Sequence, residues 1–521
     1  MVQMEDKAVD YIIKRLISGE KDLNKLKREA SAKFSLPHIV KNTRILERFP
    51  KEKLTDKLLN IILKKPVRTI SGVTPIAVMI KPEDSCKWKC IYCPFTGKAA
   101  KSYTGYEPAA RRARDNDFDP YRQTKARLGQ FRIGGHNTDK CEVIIMGGTF
   151  LQMPKEYKEK FVKAIYNALN NKKSKTLQDA KKKNEKAKHR MIGLTIETRP
   201  NVCAEYVDEL LEYGVTRIEL GVQHPNDSIY KRINRGHAVK DVVDTTQKLK
   251  DCGFKIAYHI MPGLPGSNRK KDIEMIKRLF ADGRFKPDML KIYPTLVIEG
   301  TELYKMMKNG KYKPYTSEQA AEIISEFYRY IPEYVRVMRI QRDIPANLIS
   351  GGVTKSNLRE LVDQKMKENK IIPNEIRSRE VGFKTAIEKA EKFDLKRTDY
   401  NASGGKEVFL SYETKGGALA GFIRLRIPNS KSKFRKEIDG ETALIRELHV
   451  YGQEVGIDEC DKKKVKVQHT GIGTKLLEEA ERIARKEFGK KKMIIISGVG
   501  VREYYKKKGY VLIGPYMGKK I

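Results

Sequence analysis

The chain has 521 residues, of which 106 are lysine or arginine and 66 are aspartate or glutamate, so its formal net charge is +40. This length excludes a single hydrophobic core and predicts several domains, while the charge favours an anionic partner such as nucleic acid over a lysine-rich surface that is merely solvated. No apolar run reaches the length of a membrane span, so we expect no membrane partner.

Apolar residues at helical spacing predict helices across residues 1–70. These residues are Val9, Ile12, Ile13, Leu16, Ile17, Leu23, Leu26, Leu58, Leu59, Ile62 and Leu63. The region carries 17 basic against 9 acidic residues, which is +8 of the total +40. A basic helical arm suits the capture of nucleic-acid phosphates, although a solvated face explains the same pattern.

Short β-branched runs followed by helical stretches begin at Val73. The runs are Val73–Ile80, Glu142–Met146, Ile192–Ile196, Arg217–Val222, Lys255–Ile260 and Met289–Tyr293. Six such repeats predict an α/β fold with a partial (β/α) barrel, in which reactive groups lie at the carboxyl ends of the strands.

Three cysteines, Cys86, Cys90 and Cys93, follow the first run. Three thiolates can hold a [4Fe-4S] cluster and leave one iron open for an outside ligand. A structural zinc site needs four ligands, and simple burial fits poorly because the segment has neither helical nor strand periodicity. The spacing, with Tyr92 before the last cysteine, resembles that of the radical S-adenosylmethionine (SAM) superfamily, which implies that Tyr92 lies along the adenine of SAM.

Iron-binding thiols require a reducing compartment, and the other four of the seven cysteines are scattered, so we expect a cytoplasmic protein without a disulfide framework. Further unusual residues occur at later strand ends. They are Gly147, Gly148 and Thr149 after the second run, Glu197 after the third, Gln223 and His224 after the fourth, Pro262–Gly266 after the fifth, and Lys291 within the sixth. A glycine pair alone is usually a turn, but together these residues predict a SAM pocket beside the cluster, with Lys291 as a candidate catalytic residue.

Two segments interrupt or follow the barrel. Lys172–Arg190 contains eight lysines and is expected to be a surface insertion, mobile or partly helical. After Ile298, a connecting region extends to about Lys384. Within this region, Val335–Asp343 is expected to add a seventh strand with its arginines facing outward.

The pattern from about Ala386 predicts an antiparallel α+β module. Its expected strands are Val408–Tyr412, Ala418–Ile427, Ala443–Tyr451 and Met493–Ser497. Gln468, Gly471 and Gly473 form a Gln-x-x-Gly-x-Gly turn before the helix predicted over Lys475–Glu487, where backbone N–H groups can bind a pyrophosphate. Such a turn is often an ordinary helix start, but it also resembles the coenzyme A loop of GNAT acetyltransferases.

Arg502–Tyr510 forms a short predicted helix closed by Gly509, at the place where GNAT proteins carry the tyrosine that faces the thioester. Adjacent helical residues point about 100° apart, so Tyr504 and Tyr505 cannot both face the thioester. Both are candidate catalytic residues. We favour Tyr505 because it lies four residues before the glycine, as in the GNAT pattern.

Radical SAM and GNAT modules in this order resemble the catalytic subunit of the Elongator complex, a family of tRNA carboxymethyluridine synthases. The matching segments are Ser102–Pro108, Met146–Phe150, Arg446–Gly452 and Ser497–Gly500. The resemblance implies that a carboxymethyl group from acetyl-CoA is attached to carbon 5 of the wobble uridine in the tRNA anticodon stem-loop. It also implies acetyl-CoA contacts at Lys140, Glu447, Leu448, His449, Val450, Ile472, Gly473, Thr474 and Tyr505.

Two features depart from the family pattern. Cys86 and Cys90 are separated by three residues, whereas eukaryotic members have a longer insertion, and three ligands are still expected. Many relatives carry cysteines just before their version of Ile376–Gly382, where this chain has Pro373-Asn374-Glu375, so no zinc site is inferred.

The expected domains are a tRNA-binding region over 1–70, a radical SAM barrel over 71–310, a docking region over 311–385 and a GNAT domain over 386–521. The expected scheme uses a SAM-derived radical to activate the acetyl methyl group of acetyl-CoA. A protein lysine acetyltransferase with a structural cluster is the first alternative, and a non-catalytic RNA-binding scaffold is the second. The sequence is compatible with a single subunit and with a homo-oligomer.

Overall fold

The computed structural model describes residues 2–62, 72–83, 86–381, 392–429, 431–451 and 471–521. Several expectations fall outside these residues, namely the apolar contact of Leu63, the turn residue Gln468 and the domain boundaries near residues 70 and 385. Within the described part of the chain, no helix combines the length and apolar character needed to cross a membrane.

A small helical unit opens the chain. Its helices are α1 (Val2–Ile17), α2 (Leu23–Lys33), α3 (Asn42–Arg48) and α4 (Asp56–Ile62). Their predicted apolar stripes form a separate core that includes Val9, Ile12 and Leu26. Ile17 is an exception, because it is the last residue of α1 and is 43% exposed. The prediction that Ile17 belongs to the buried stripe is therefore wrong.

A parallel seven-stranded sheet curls into an open half-barrel. Its strands, in spatial order, are β1 (Thr74–Met79), β2 (Lys140–Met146), β3 (Arg190–Thr198), β4 (Arg217–Gln223), β5 (Lys255–Ile260), β6 (Met289–Ile292) and β8 (Arg336–Arg339). The connecting helices are α5 (Pro108–Arg114), α6 (Pro120–Ile133), α7 (Lys155–Asn170), α8 (Leu177–Asn184), α9 (Pro200–Cys203), α10 (Val207–Tyr213), α11 (Asp227–Arg232), α12 (Val239–Asp251) and α13 (Arg269–Ala281). The predicted partial barrel is confirmed.

The seventh strand, β8, pairs in parallel with β6, as expected. The expectation that its arginines face outward is wrong for Arg336, however. Val337 belongs to the apolar core, and because side chains alternate along a strand, Arg336 is directed to the barrel interior. Arg336 and Arg339 both border the central cleft.

The end of the barrel and the connecting region, as far as residue 381, contain two short paired strands and four helices. They are β7 (Val297–Ile298), β9 (Ile349–Gly351), α14 (Glu302–Lys308), α15 (Ser317–Phe327), α16 (Leu358–Glu368) and α17 (Ile376–Arg379). Its end contacts the second sheet, because Arg379 donates to Glu413 over 2.5 Å and Glu380 bridges to Leu419.

The described residues of the C-terminal domain form a second seven-stranded sheet. Its strands are β10 (Asp394–Ala402), β11 (Gly405–Glu413), β12 (Leu419–Ile427), β13 (Thr442–Val450), β14 (Lys492–Ile495), β15 (Val511–Ile513) and β16 (Tyr516–Lys520), and its helices are α18 (Ile472–Lys486) and α19 (Arg502–Lys506). Parallel pairing of β13 with β14 stops at Ile445 and Ile495. Glu447–Val450 continue beyond it, which leaves a gap between the strands in front of α18.

Buried ion pairs join the barrel to this second sheet. Arg446 on β13 donates to both oxygens of Asp288 over 2.7 and 2.6 Å, and Arg426 on β12 donates to Asp251 over 2.8 and 2.5 Å. Glu407 accepts from both arginines at 2.9 Å. The network fixes the second sheet at the amino end of β6, which faces away from the cysteine loop.

Candidate active site

A continuous cleft of about 1330 Å³ runs through the interior of the half-barrel into the C-terminal domain. One end is bordered by the cysteine loop at the carboxyl ends of the barrel strands. The other end is bordered by β13 and the start of α18. Residues predicted for two separate cofactors therefore share one cavity.

The three cysteines all border this cleft. Burial, and then the negative charge of neighbouring Cys90, raises the pKa of Cys93 to about 12. The crowded thiolates thus need compensating positive charge. A cationic iron-sulfur core supplies such charge, and three thiols on one loop are the donor set that a [4Fe-4S] cluster with one open iron uses. The residues present fit this cluster.

Two buried arginines contact Cys90, and sequence reasoning missed them. Nη1 of Arg235 lies 3.5 Å from Sγ of Cys90, and Nη1 of Arg199 lies 3.7 Å from it. Burial disfavours the Cys90 thiolate, but the two guanidinium groups outweigh this effect and lower its pKa. Arg199 also stacks on Trp88 of the cysteine loop, 4.0 Å from the ring centroid. The position of Arg199, directly after β3 and two residues past Glu197, could have identified it from the sequence as a candidate site residue.

The glycine pair after β2 is shaped by close contacts. Gly147 has φ +119°, and a Cβ atom there would lie 2.6 Å from Cγ1 of Ile80, so no other residue fits. Its backbone N–H points to Glu197 Oε2 at 3.4 Å, and the same oxygen accepts a 2.7 Å hydrogen bond from Tyr103. A Cβ atom on Gly148 would meet nothing within 4 Å, and Gly148 and Thr149 border the cleft.

Lys291 lies among acidic groups inside the barrel. Its ammonium group is bonded to Glu219 and lies 3.9 Å from Glu197, while His259 lies 2.8 Å from Glu219. Burial opposes both charges, yet the pairing raises the pKa of Lys291 and lowers that of Glu219. Glu197, Glu219 and His259 are close enough to bind a metal ion, but the Lys291 ammonium already supplies the cation.

Sequence reasoning also missed Glu219 and His259. The sequence contained a signal for such residues, because polar side chains at alternate positions of a buried strand lie on one face of it. On β4 the residues that share this face are Arg217, Glu219, Gly221 and Gln223. Gln223 adopts φ +66° at the strand end, and its Oε1 atom is buried without a hydrogen-bond partner. Tyr92 borders the cleft, and its hydroxyl group is likewise buried and unpartnered.

The opposite end of the cleft contains the residues predicted for acetyl-CoA. Lys140, Glu447, Leu448, His449 and Val450 all border it. Glu447 accepts a 2.8 Å hydrogen bond from Arg424 and lies 4.0 Å from Lys255. Burial lowers the pKa of His449 to about 4, so this imidazole is neutral at pH 7.

Gly471 directly precedes α18 with φ +75°, and Gly471, Gly473 and Thr474 border the cleft. The side chain of Ile472 differs from expectation, because it is buried in the core of the C-terminal domain. Only the backbone of Ile472 is therefore available to a ligand. A Cβ atom on Gly473 would lie 3.2 Å from the Tyr504 hydroxyl group.

Tyr504 and Tyr505 both border the cleft, but their environments differ. The Tyr504 hydroxyl group hydrogen-bonds Thr474 at the start of α18. The Tyr505 ring packs in the domain core and is 6% exposed. Which hydroxyl group faces a thioester stays a prediction.

This fold and cysteine loop define a radical SAM protein with a C-terminal GNAT-type domain. Family models agree, matching the Radical SAM superfamily over residues 80–279, the Radical_SAM C-terminal domain over 287–368 and the ELP3 N-terminal domain over 1–70. The chain belongs to the Elongator complex protein 3 family.

Its relatives match over almost their full length. A Methanocaldococcus infernus protein named tRNA uridine(34) acetyltransferase is 47% identical, over 99% of this chain and 100% of the relative. The human Elongator complex protein 3 is 41% identical, over 98% of this chain and 96% of the relative. The solved structure of Methanocaldococcus infernus Elp3 with residues 1–46 deleted has a TM-score of 0.78 at 47% identity and covers 87% of this chain and 100% of that chain.

Proposed function

We propose that this chain is an acyltransferase that forms 5-carboxymethyluridine at the wobble position of tRNA, using acetyl-CoA and radical SAM chemistry. The single observation that carries the proposal is the cleft, which joins the cysteine loop to the start of α18. Relatives named tRNA uridine(34) acetyltransferase support the substrate class.

Cys86, Cys90 and Cys93 would hold a [4Fe-4S] cluster. Together with SAM, this cluster would supply the radical chemistry needed to take hydrogen from a methyl group. We assign Tyr92, Gly147, Gly148, Thr149 and Gln223 to the SAM pocket. Glu197, which accepts a hydrogen bond from Tyr103, would accept another from the SAM amino group, and Lys291 would hold the neighbouring carboxylates in place.

The acetyl-CoA site would use the backbone N–H groups of Gly471–Thr474, where the α18 dipole favours a pyrophosphate. Glu447–Val450 and Lys140 line the side of this site nearest the barrel, and Tyr505 is assigned to the thioester. The cleft lets the acetyl group extend toward the barrel interior without leaving the protein. Since both proposed sites lie on one chain, a single subunit would suffice for the reaction. We propose the four predicted domains as its functional units.

The anionic substrate suits the positive charge at the cleft and on the N-terminal helices. Arg339, Arg342 and Arg359 border the cleft on the side of β8. Lys14, Lys25 and Arg28 are exposed on α1 and α2. An anticodon loop can present an unstacked base to such a site at low cost.

An anaerobic assay tests the function. Reduced protein, SAM, acetyl-CoA and tRNA should yield 5'-deoxyadenosine and 5-carboxymethyluridine. Lysine acetylation of a protein substrate without SAM or reductant, and with no modified nucleoside in the complete reaction, would instead establish the acetyltransferase alternative.

Filter binding at several salt concentrations tests whether the N-terminal helices bind tRNA. The triple variant Lys14→Glu, Lys25→Glu, Arg28→Glu should flatten the dependence of log affinity on log salt, by about 0.7 to 0.9 per lost phosphate contact. Arg15 is left unchanged because it is already bonded to Glu20. An unchanged slope would remove the N-terminal region from the tRNA-binding surface.

A further inference from the structure

The lysine-rich insertion is a fixed part of the interdomain structure. Asn184, the last residue of α8, is fully buried. Its amide group donates to Asn170 Oδ1 over 2.8 Å and to the His189 carbonyl oxygen over 3.1 Å, and its Oδ1 atom accepts a 2.7 Å hydrogen bond from the Met191 backbone. The end of α8 is therefore fastened to both α7 and β3.

The next residue, Glu185, reaches the C-terminal domain. Its Oε1 atom accepts from Nη1 of Arg502 over 3.2 Å, and its Oε2 atom accepts from Nζ of Lys506 over 2.8 Å. Arg502 and Lys506 are the first and last residues of α19, and Tyr504 and Tyr505 lie between them. One carboxylate from the barrel thus holds both ends of the helix that borders the acetyl-CoA end of the cleft.

A second contact lies just before α19, in Ser497-Gly498-Val499-Gly500. A Cβ atom on Gly498 would lie 2.0 Å from the Ile192 carbonyl oxygen, and one on Gly500 would lie 2.5 Å from Cβ of Arg190. Neither glycine has a positive φ, so close approach to β3 is what requires them. The backbone before α19 therefore presses directly on the start of a barrel strand.

Electrostatics make Glu185 the most important residue in the contact between the barrel and α19. Burial and then the charge of Arg502 lower the pKa of Lys181 to about 8. Lys506 has a second carboxylate partner, Glu503, at 2.7 Å. Arg502 is 5% exposed, and the carboxylate it contacts is that of Glu185. Neutralising Glu185 would leave the buried Arg502 guanidinium group without this carboxylate, whereas Lys181 would keep its 2.6 Å hydrogen bond to the Glu212 carbonyl oxygen.

We propose that Glu185 is a positioning residue for acetyl-CoA, which acts by holding α19 and its tyrosines against the barrel. The inference rests on the proposed function in that acetyl-CoA is the ligand at this end of the cleft. The lysine-rich insertion then orients acetyl-CoA toward the barrel, and the Ser497–Gly500 segment supports α19 by packing against β3.

The isosteric change Glu185→Gln in the full chain tests this proposal. A hydrogen bond between two charged groups is worth about one factor of ten in an equilibrium, and its loss would lower the population of the α19 position that binds acetyl-CoA. We therefore expect acetyl-CoA affinity by calorimetry to fall about fivefold to tenfold. SAM affinity should be unchanged. In turnover, more 5'-deoxyadenosine should form per modified uridine. Glu205→Gln, the same change at an exposed carboxylate, is the matched control.

Arg502→Gln should reproduce the effect, and the double variant should be no worse than either single variant, because both remove one contact. Unchanged acetyl-CoA affinity in Glu185→Gln, additive losses in the double variant, or an equal loss of SAM affinity would each overturn the positioning role. Acetyl-CoA and SAM affinities are measured without tRNA. A failure of the proposed tRNA activity would appear instead as wild-type protein that binds both ligands but forms no modified nucleoside.

Discussion

Nη1 of Arg235 lies 3.5 Å from Sγ of Cys90, in a buried position beside the cleft. With Arg199 at 3.7 Å, it places two fixed positive charges on one candidate ligand of the iron-sulfur cluster. Hydrogen bonds and charge at a ligand sulfur set the reduction potential of such clusters. The arginine pair should favour the reduced, more negative cluster.

Arg235→Gln should therefore lower the midpoint potential of the reconstituted cluster by about 50 mV, since one electron and a tenfold change in equilibrium correspond to about 59 mV. Potentiometric titration followed by electron paramagnetic resonance measures this shift. Arg232→Gln, an exposed change on the neighbouring helix α11, should leave the potential at its wild-type value. Equal potentials for all three proteins would contradict the electrostatic role of Arg235.

Cys90→Ala should abolish both the iron-sulfur absorbance and the formation of 5'-deoxyadenosine, because two thiolates do not hold a stable cube. Acetyl-CoA affinity should persist, since the α18 end of the cleft lies in the other domain. Absorbance spectroscopy and product analysis decide the outcome. Radical cleavage of SAM that survives this change would remove Cys90 from the ligand set.

Gly473→Glu should lose acetyl-CoA binding and keep SAM binding. Its Cβ atom would lie 3.2 Å from the Tyr504 hydroxyl group, and its charge would repel a pyrophosphate at the start of α18. Calorimetry with each ligand measures the split. Gly440→Glu is the control, because a Cβ atom there meets nothing within 4 Å. Equal loss of both ligands in Gly473→Glu would indicate general misfolding instead.

Tyr505→Phe should lower the turnover of acetyl-CoA at least tenfold with little change in affinity, if its hydroxyl group faces the thioester as the GNAT pattern implies. Tyr504→Phe removes a hydrogen bond to Thr474 and should mainly weaken acetyl-CoA binding, by up to about tenfold. Steady-state kinetics separate kcat from KM for the two variants. The reverse assignment of effects would make Tyr504 the thioester residue.

Lys181→Met tests the buried amine of the insertion. Burial lowers the folded-state pKa of Lys181 from 10.5 to about 8, so the unfolded chain binds more protons between these values and stability rises with pH. Wild type should therefore gain up to about 3 kcal/mol in the free energy of unfolding relative to Lys181→Met as pH increases from 8 to 10.5. Urea denaturation of both chains at the two pH values measures the difference. Parallel pH profiles would show that Lys181 is solvated.

Most of the fold could be predicted from the sequence, because the periodicity of apolar residues and the spacing of motifs can be recognised within short segments. The six barrel strands were expected from β-branched runs, and the turn before α18 from its glycines. Strand β10 was missed because its sequence is largely polar and its residues are mostly exposed. Strands β15 and β16 were missed because three to five residues give too little periodicity.

The candidate site was less predictable, since it depends on residues that are distant in sequence. Cys90 and Arg235 are 145 positions apart, and nothing local in either segment indicates their contact. The same holds for Glu185 and Arg502, which are separated by 317 positions. The outward orientation expected for Arg336 was wrong because the face of a strand that packs on the core is settled by its neighbours.

The buried ion pairs between the two sheets also limit how such a chain can be rearranged by recombination. Arg426 and Arg446 are neutralised by Asp251 and Asp288 of the barrel, so a C-terminal domain taken from an unrelated acetyltransferase would deprive both carboxylates of their guanidinium partners. We therefore expect that the barrel and the C-terminal domain were inherited as one unit, because exchange of either domain would destabilise the folded protein.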